Sequence, residues 1–370
     1  MTPSELDALY AFLVAAGVAA ILTPLTMRFA RRVGALDQPR ERGLSDRETP
    51  RLGGIAIFAG AAIAGTIWLH HIPAVVGGRT VGWHWGGLVA AMALITLVGA
   101  LDDRFDFPPG VKLLGQIAAA VVAVAIGGIT IHFITLPVVG RLNFPNAGPS
   151  LTAFGLVAMM NVVNFSDGVD GLAAGVCGID AVAFAVIAFS LAASQHFGGV
   201  LAALTAGAAL GFLLHNFPPA SSFMGDAGSN LLGLLMGATA VEGDLKTSAV
   251  VTLALPLILL AVPFLDTTFV VLKRLKYRRP VYEADQEHFH HRMARIGFSV
   301  RRTVLFFYGW TLMLAGYAVA LRFIHYSDHH GHLRAGGTIL VVVLGLLVIA
   351  ASAYLVYVLE ILKFNRRNRR

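Results

Sequence analysis

Nine stretches of this chain are apolar for about the 20 residues that a helix needs to cross the hydrocarbon core of a bilayer, and nothing else in it limits the fold so strongly. They lie near 7–33, 52–71, 82–101, 112–133, 171–193, 198–216, 247–272, 302–323 and 336–362. Two shorter ones, 150–164 and 228–241, are rich in small residues and serve as helices where protein rather than lipid covers their ends. Composition agrees. Of 370 residues, 56% are hydrophobic and only 13% charged, too little polar surface to cover a soluble globule. The expected fold is an all-α integral membrane protein of eleven transmembrane helices forming a single polytopic domain.

Cations near the spans set the orientation, because Lys and Arg are retained on the cytoplasmic side. With the N-terminus outside, the inner connections hold seven cations from Arg28 to Arg51, two at Arg104 and Lys112, nine from Lys273 to Arg302 and five in the tail from Lys363 to Arg370. The outer side keeps Arg79, Arg141, Lys246, Arg322 and Arg334. So 23 of 28 cations fall inside, which predicts a cytoplasmic C-terminus and a cytoplasmic-face site. The net charge of +7 follows from this bias and from attraction to anionic lipid, and it implies no nucleic-acid partner. One cysteine, Cys177, excludes a disulfide framework and a thiolate metal site. The first span is too long, and too basic at its end, for a cleaved signal peptide and is expected to stay.

Polar residues divide unevenly between the two faces. The outer connections read as linkers, and the longest, ITLPVVGRLNFPNAGPS, alternates β-branched and turn residues and predicts a small hairpin. The inner ones carry DQPRERGLSDRETPRLGG (37–54), LDDRFDFPPGVKLLGQ (101–116), NVVNFSDGVDG (161–171), FPPASSFMGDAGSN (217–230) and YEADQEHFHHRMARIG (282–297).

Asp102 and Asp103 close the third span, with Asp106 one turn on and Lys112 shortly beyond. A lone acid at a membrane boundary is simply solvated. Adjacent acids repel, so this pair beside Lys112 marks a place where a cation, a proton or a phosphate moderates the charge. In NVVNFSDGVDG, Asn161 and Asn164 share a helical face, and the steps Asp167-Gly168 and Asp170-Gly171 end the helix with backbone that a ligand can approach closely. Two Asp-Gly turns would suffice to cap two helices; the added amide pair points to function. Amide oxygens and carboxylates are hard ligands suited to Mg²⁺, and the carboxylates equally accept from sugar hydroxyls or a base N–H.

Asp226, between Gly225 and Gly228, begins a helix whose N-terminus suits phosphate; the acid either shares a magnesium ion with that phosphate or is only an N-cap. Phe223 is core, lipid-facing or a stacking surface for a nucleobase. His288, His290, His291 and Arg292 cluster in HFHHR with no Cys partner, which leaves zinc, sugar and phosphate contacts open. Asp180 and Asp266 fall within spans, so each is expected to face the bundle interior with a partner. The histidines toward the outer face, His84 among them, read as interfacial.

Taken together, DDRFD, NVVNFSDGVDGLAAG, FMGDAGS, LDT and HFHHR, in this order over roughly residues 35–300, resemble the motifs of the polyprenyl-phosphate N-acetylhexosamine-1-phosphate transferases. These form glycosyltransferase family 4, the WecA/TagO type related to MraY. The resemblance implies transfer of GlcNAc-1-phosphate from UDP-GlcNAc to undecaprenyl phosphate in the bacterial cytoplasmic (inner) membrane, with release of UMP and a need for Mg²⁺ or Mn²⁺. It implies Asn164 and Asp226 as metal ligands, Asp102 and Asp103 near the lipid phosphate, and Asp167, Asp170 and Phe223 around the uridine. Lys112 and the stretch from His288 to Arg292 would contact the diphosphate and sugar, and Asn161 and Asp266 complete the substrate-binding set. HxHHR resembles the GlcNAc-using branch rather than the MurNAc-pentapeptide branch. DQPRERG, with Arg40 and Gly43, and DFPPGVK, with Pro108 and Pro109, depart from the family pattern.

Chemistry between a phosphate fixed to a long isoprenoid and a nucleotide sugar must occur at the inner interface, since neither substrate can join the other in its own phase. A different class of function, an ion-coupled transporter with Asp102, Asp103, Asp180 and Asp266 as a relay, would place polar groups near the midplane. A histidine-rich metal-binding membrane protein is a third reading. Exposed outer spans leave room for a homodimer.

Overall fold

The computed structural model describes residues 3–37, 48–69, 75–76, 79–131, 133–136, 140–144, 146–190, 196–242, 297–324 and 334–367. Ten α-helices dominate them: α1 Pro3–Val33, α2 Gly53–Trp68, α3 Val81–Phe105, α4 Pro109–Ala125, α5 Gly148–Ser166, α6 Leu172–Phe189, α7 His196–Asn216, α8 Gly225–Glu242, α9 Val300–Phe323 and α10 Ala335–Arg367. Ten of the eleven expected spans therefore are helices. The remaining one, 247–272, lies outside the described residues, as do Asp266, His288, His290, His291 and Arg292. Seven helices (α1, α3, α5, α6, α7, α9 and α10) are long and apolar enough to cross a membrane, and α2 and α4 are shorter apolar helices. The chain is an all-α, multi-pass membrane protein.

Short antiparallel pairs join the helices on either side. Leu36–Asp37 (β1) pairs with Thr49–Pro50 (β2), and Val75–Val76 (β3) with Arg79–Thr80 (β4). The expected hairpin forms between Phe133–Leu136 (β5) and Gly140–Asn143 (β6), with Phe133 opposite Asn143 and Leu136 opposite Gly140.

Sequence chemistry explains the breaks that shape one end of the bundle. At the close of α3, Asp106 takes a left-handed φ of 54°, and its N–H still reaches the carbonyl of Asp102 at 2.8 Å. Pro108 then caps α4 and Pro109 occupies its first turn, where a missing N–H costs nothing. The proline pair that departs from the family pattern is thus a helix start.

Small residues let the helices approach closely, as packing in a membrane favours. Helix α7 is buried along most of its length and packs on α1, α2, α6 and α8. Beside it α3, α4, α5 and α8 form a closed ring of neighbours, each packed on the next. A Cβ on Gly99 of α3 would overlap the backbone of Asp226 and Ala227, and one on Gly54 of α2 would overlap Gly228. The first turn of α8 is therefore wedged between α2 and α3.

At the opposite end α3 and α8 meet again, His84 Nε2 lying 3.0 Å from Glu242 Oε2, with His84 only 1% exposed and set edge-on to Phe197. This corrects the interfacial reading of His84: an acid on α8 and an aromatic ring on α7 draw it into the bundle. Asp180 faces the interior as expected, yet both its carboxylate oxygens lack a hydrogen-bond partner.

Candidate active site

Four helix ends converge at one end of the ring: the C-termini of α3 and α5 and the N-termini of α4 and α8. Each carries one element of the sequence motifs. Lys112, in the first turn of α4, points its ammonium between two acids, 2.6 Å from Asp102 Oδ2 and 3.0 Å from Asp226 Oδ2. Asp102 is held from its other side, where Oδ1 accepts the N–H of Phe107 at 2.8 Å. From α5, the Asn164 amide donates to Asp226 Oδ1 at 3.0 Å and to Ser229 Oγ at 2.9 Å. The sequence-predicted Asp102, Lys112, Asn164 and Asp226 therefore meet in one cluster.

Asp103 plays a different part from its neighbour. Its carboxylate accepts the N–H of Asp226 at 2.9 Å and that of Ala227 at 3.2 Å, so it caps α8 from another helix. The capping acid at this N-terminus is Asp103 rather than Asp226: an anion of the protein itself takes these two N–H groups and complements the helix dipole. Gly225 makes the approach possible, having a φ of 66° and no Cβ where one would overlap Asp103 Oδ2 and the carbonyl of Arg51.

The loop before α8 is held as firmly. Phe223 donates its N–H to the Pro50 carbonyl at 2.8 Å and its carbonyl accepts from Gly53 N–H at 3.0 Å, and the residue is partly exposed. In the turn between α5 and α6, Asp170 accepts the Ala220 N–H at 2.9 Å, and Asn216 accepts from Gly171 N–H at 2.9 Å while donating to the Ser222 carbonyl. Tyr308 of α9 donates to the Gly171 carbonyl at 2.5 Å. Burial pushes Asp167 well above the ordinary carboxylate range, and the charges of Asp226, Asp103 and Asp170 push the same way. Burial also raises Asp170, against the Ala220 N–H that favours its ionised form.

Some participants are invisible to motif reading. Gln116 and Asn230, 4% and 5% exposed, join a chain of amides: Asn161 donates to Gln116 Oε1 at 2.7 Å, Gln116 to Asn230 Oδ1 at 2.8 Å, and Asn230 to the Asp226 carbonyl at 2.8 Å. A signal for both existed in the spacing. Gln116 is four residues after Lys112 and Asn230 four after Asp226, which puts each on the face of its helix that carries the charged residue.

Among the described residues no three His, Cys, Asp or Glu side chains gather into a protein-only metal cage. The donors present are nonetheless hard oxygens: the Asp226 carboxylate and the Asn164 amide oxygen, whose nitrogen is already committed. That set fits a Mg²⁺-type ion that takes one or two protein ligands and completes its shell with water and substrate phosphate.

The site thus lies at one end of a multi-pass helical bundle and is built of carboxylates around one lysine. The sequence model for glycosyl transferase family 4 matches residues 85–244, which span Asp102 through Asp226. A protein of Bacillus subtilis named probable undecaprenyl-phosphate N-acetylglucosaminyl 1-phosphate transferase is 34% identical over 304 residues, 80% of either chain. The decaprenyl-phosphate N-acetylglucosaminephosphotransferase of Mycolicibacterium smegmatis is 37% identical over 80% of this chain and 79% of its own. A phospho-N-acetylmuramoyl-pentapeptide-transferase of Desulforudis audaxviator is 33% identical over 85% of this chain and 97% of its own. The chain belongs to glycosyl transferase family 4.

Proposed function

We propose that this protein transfers GlcNAc-1-phosphate from UDP-GlcNAc to undecaprenyl phosphate, forming undecaprenyl-diphosphate-GlcNAc and releasing UMP. The observation that carries the reading is the convergence of Asp102, Lys112, Asn164 and Asp226 in a family member whose relatives are named for polyprenyl-phosphate substrates. An oxygen of the lipid phosphate attacks the β-phosphorus of the nucleotide sugar in line. The new P–O bond forms as the bond from that phosphorus to the α-phosphate oxygen breaks, and UMP leaves with the electron pair.

Lys112 is the donor positioned for phosphate oxygens, and Asp102 fixes its direction. Asp226 and Asn164 would hold Mg²⁺ or Mn²⁺, which supplies neutralisation of diphosphate charge when bound. No strong base is required, because a phosphate monoester with a second pKa near 6 is already largely dianionic at neutral pH. Asp167, Asp170 and the partly exposed Phe223 border the same end and are assigned to the uridine, with Asp266 and the stretch His288, His290, His291 and Arg292 toward the diphosphate and sugar. Eleven spans, an outer N-terminus and a site on the cytoplasmic face of the bacterial inner membrane complete the reading.

The transporter reading is weaker, because Asp180, which a relay would need, makes no hydrogen bond and so joins no chain toward Asp102 among the described residues. Purified protein in detergent, given undecaprenyl phosphate and Mg²⁺, is expected to release UMP with UDP-GlcNAc and not with UDP-GalNAc or UDP-MurNAc-pentapeptide. Asp226→Asn should lower that rate by at least about 100-fold, the scale of losing a group that contacts transition-state charge. Turnover only with the MurNAc donor would reassign the branch. A folded wild type that releases no UMP from any donor overturns the function.

A further inference from the structure

Every polar atom of Asp226 is engaged, three of them by other helices and the carbonyl by Asn230 of α8 itself. The N–H goes to Asp103 of α3, Oδ1 to Asn164 of α5 and Oδ2 to Lys112 of α4, all groups the motifs announced. The carbonyl goes to Asn230, and nothing in the proposed chemistry needs that contact. Asn230 does not stand alone: its side-chain oxygen is fixed by Gln116 of α4, whose own oxygen is fixed by Asn161 of α5. Asn161 in turn also donates to the Val157 carbonyl one turn back along its helix, at 2.8 Å.

We infer that Asn161, Gln116 and Asn230 are positioning residues, a buried amide ladder that sets the height and rotation of α8 so that Asp226 meets Lys112 and Asn164. The inference rests on the function proposed above. It assigns Asn161 to this ladder rather than to substrate, and adds Gln116 and Asn230 to the machinery.

The ladder has a direction. Each amide donates its N–H to the next oxygen, from α5 through α4 to the backbone of α8, and a residue in the middle must both accept and donate. At position 116 a glutamine does so without charge. Leucine does neither: it leaves the buried Asn230 side-chain oxygen without its partner and Asn161 with its bond to Val157 alone. Ionised glutamate still accepts from Asn161 but turns a second acceptor toward Asn230. Protonated glutamic acid regains the missing donor.

Three enzymes tested side by side for UMP release decide the matter: wild type, Gln116→Leu and Gln116→Glu. Gln116→Leu should lower kcat by about 10- to 100-fold, the usual cost of a small misplacement of reacting groups, with KM for UDP-GlcNAc little changed. The rate of Gln116→Glu relative to wild type should rise as pH falls, because protonation of the carboxyl restores the missing donor. The other charged groups that the surrounding helices bring to this end are Asp102, Asp103 and Arg104 on α3, Lys112 on α4 and Asp226 on α8, with Asp167 directly after α5. Wild type carries the same groups, so the ratio removes their common titration, and Gln116→Leu, which adds no charge, is the second reference. Asn161→Leu combined with Gln116→Leu should be little slower than the slower single variant, since both break one ladder.

A wild-type kcat in Gln116→Leu, a loss that resides in KM, or a ratio flat in pH would each overturn the ladder while leaving the transferase reading in place. Should Gln116→Leu fold poorly, Gln116→Glu carries the test by itself, because acidification restores the donor within one protein. Wild type that releases no UMP from any donor overturns the function and the ladder's role together.

Discussion

At the scale of residues the site is a problem of crowded negative charge. Asp102, Asp103, Asp167, Asp170 and Asp226 are drawn to one end of the bundle, and Lys112 is the cation in direct contact with two of them. The remainder are tempered by backbone: Asp103 by the first N–H groups of α8, and Asp170 by Ala220. Asp167 has no such bond among those described and carries the strain as an elevated pKa. The folded protein therefore holds this proton to higher pH than the unfolded chain does. Stability from that proton is complete below the unfolded carboxyl value near 3.9 and is lost as pH rises through the raised folded value. Asn at 167 does not titrate. The melting temperature of Asp167→Asn should exceed that of wild type increasingly as pH rises, with the gap closing toward acid; a gap constant with pH would show that Asp167 titrates normally. The charged members of this cluster were legible because Asp102, Asp103, Lys112 and Asp226 interrupt apolar sequence at span ends, where each demands a reason. Gln116 and Asn230 were not, since a single neutral amide inside an apolar run is tolerated wherever any neighbour offers a partner, and only the fold reveals which neighbour does.

Elements raise the question of how α8 keeps its first turn in reach of three other helices. Hydrogen bonds fix its orientation, but the distance is set by glycine. Gly99 meets the backbone at Asp226 and Ala227, atoms that cannot rotate away as a side chain would. Gly99→Ala should cost about 1–3 kcal/mol, the range of overpacking. It should also depress UMP release, because α8 moves where Asp226 is held. Gly17→Ala, at a position with nothing within 4 Å, should change neither. Thermal unfolding in detergent and the UMP assay read both effects; equal behaviour of the two variants would remove glycine packing as the device that sets the distance. Hydropathy placed the helices well, including α5 and α8, whose small residues made them short as lipid-facing spans yet natural inside protein. It could not supply their partners. Nothing in an apolar run tells that α3, α4, α5 and α8 close into a ring, or that His84 is drawn inward to Glu242, because pairing depends on which small-residue faces meet.

The whole molecule is polarised. Polar contacts join α3 to α8 at both ends, but His84 and Glu242 meet among buried apolar residues, whereas the opposite end gathers the acids, the lysine and the glycine turns. Alternation of the helices places the end of α3, the start of α4, the end of α5 and the start of α8 on the same side, and the connection between α7 and α8 joins them. Cation counts predict that this side is cytoplasmic, which is where the proposed nucleotide-sugar donor would be met and where a lipid phosphate can present its head without leaving the bilayer. The β5–β6 hairpin is then expected on the outer side. The single cysteine makes the orientation measurable, since Cys177 is buried at 2% exposure and silent to a polar reagent. Leu142→Cys in the hairpin and Ser221→Cys between α7 and α8 both replace exposed side chains. A membrane-impermeant maleimide added to intact spheroplasts should label Leu142→Cys at once and Ser221→Cys only after lysis. The reverse pattern would place the acid cluster outside, away from any nucleotide donor, and would end the transferase topology even though the fold and its site stand as described.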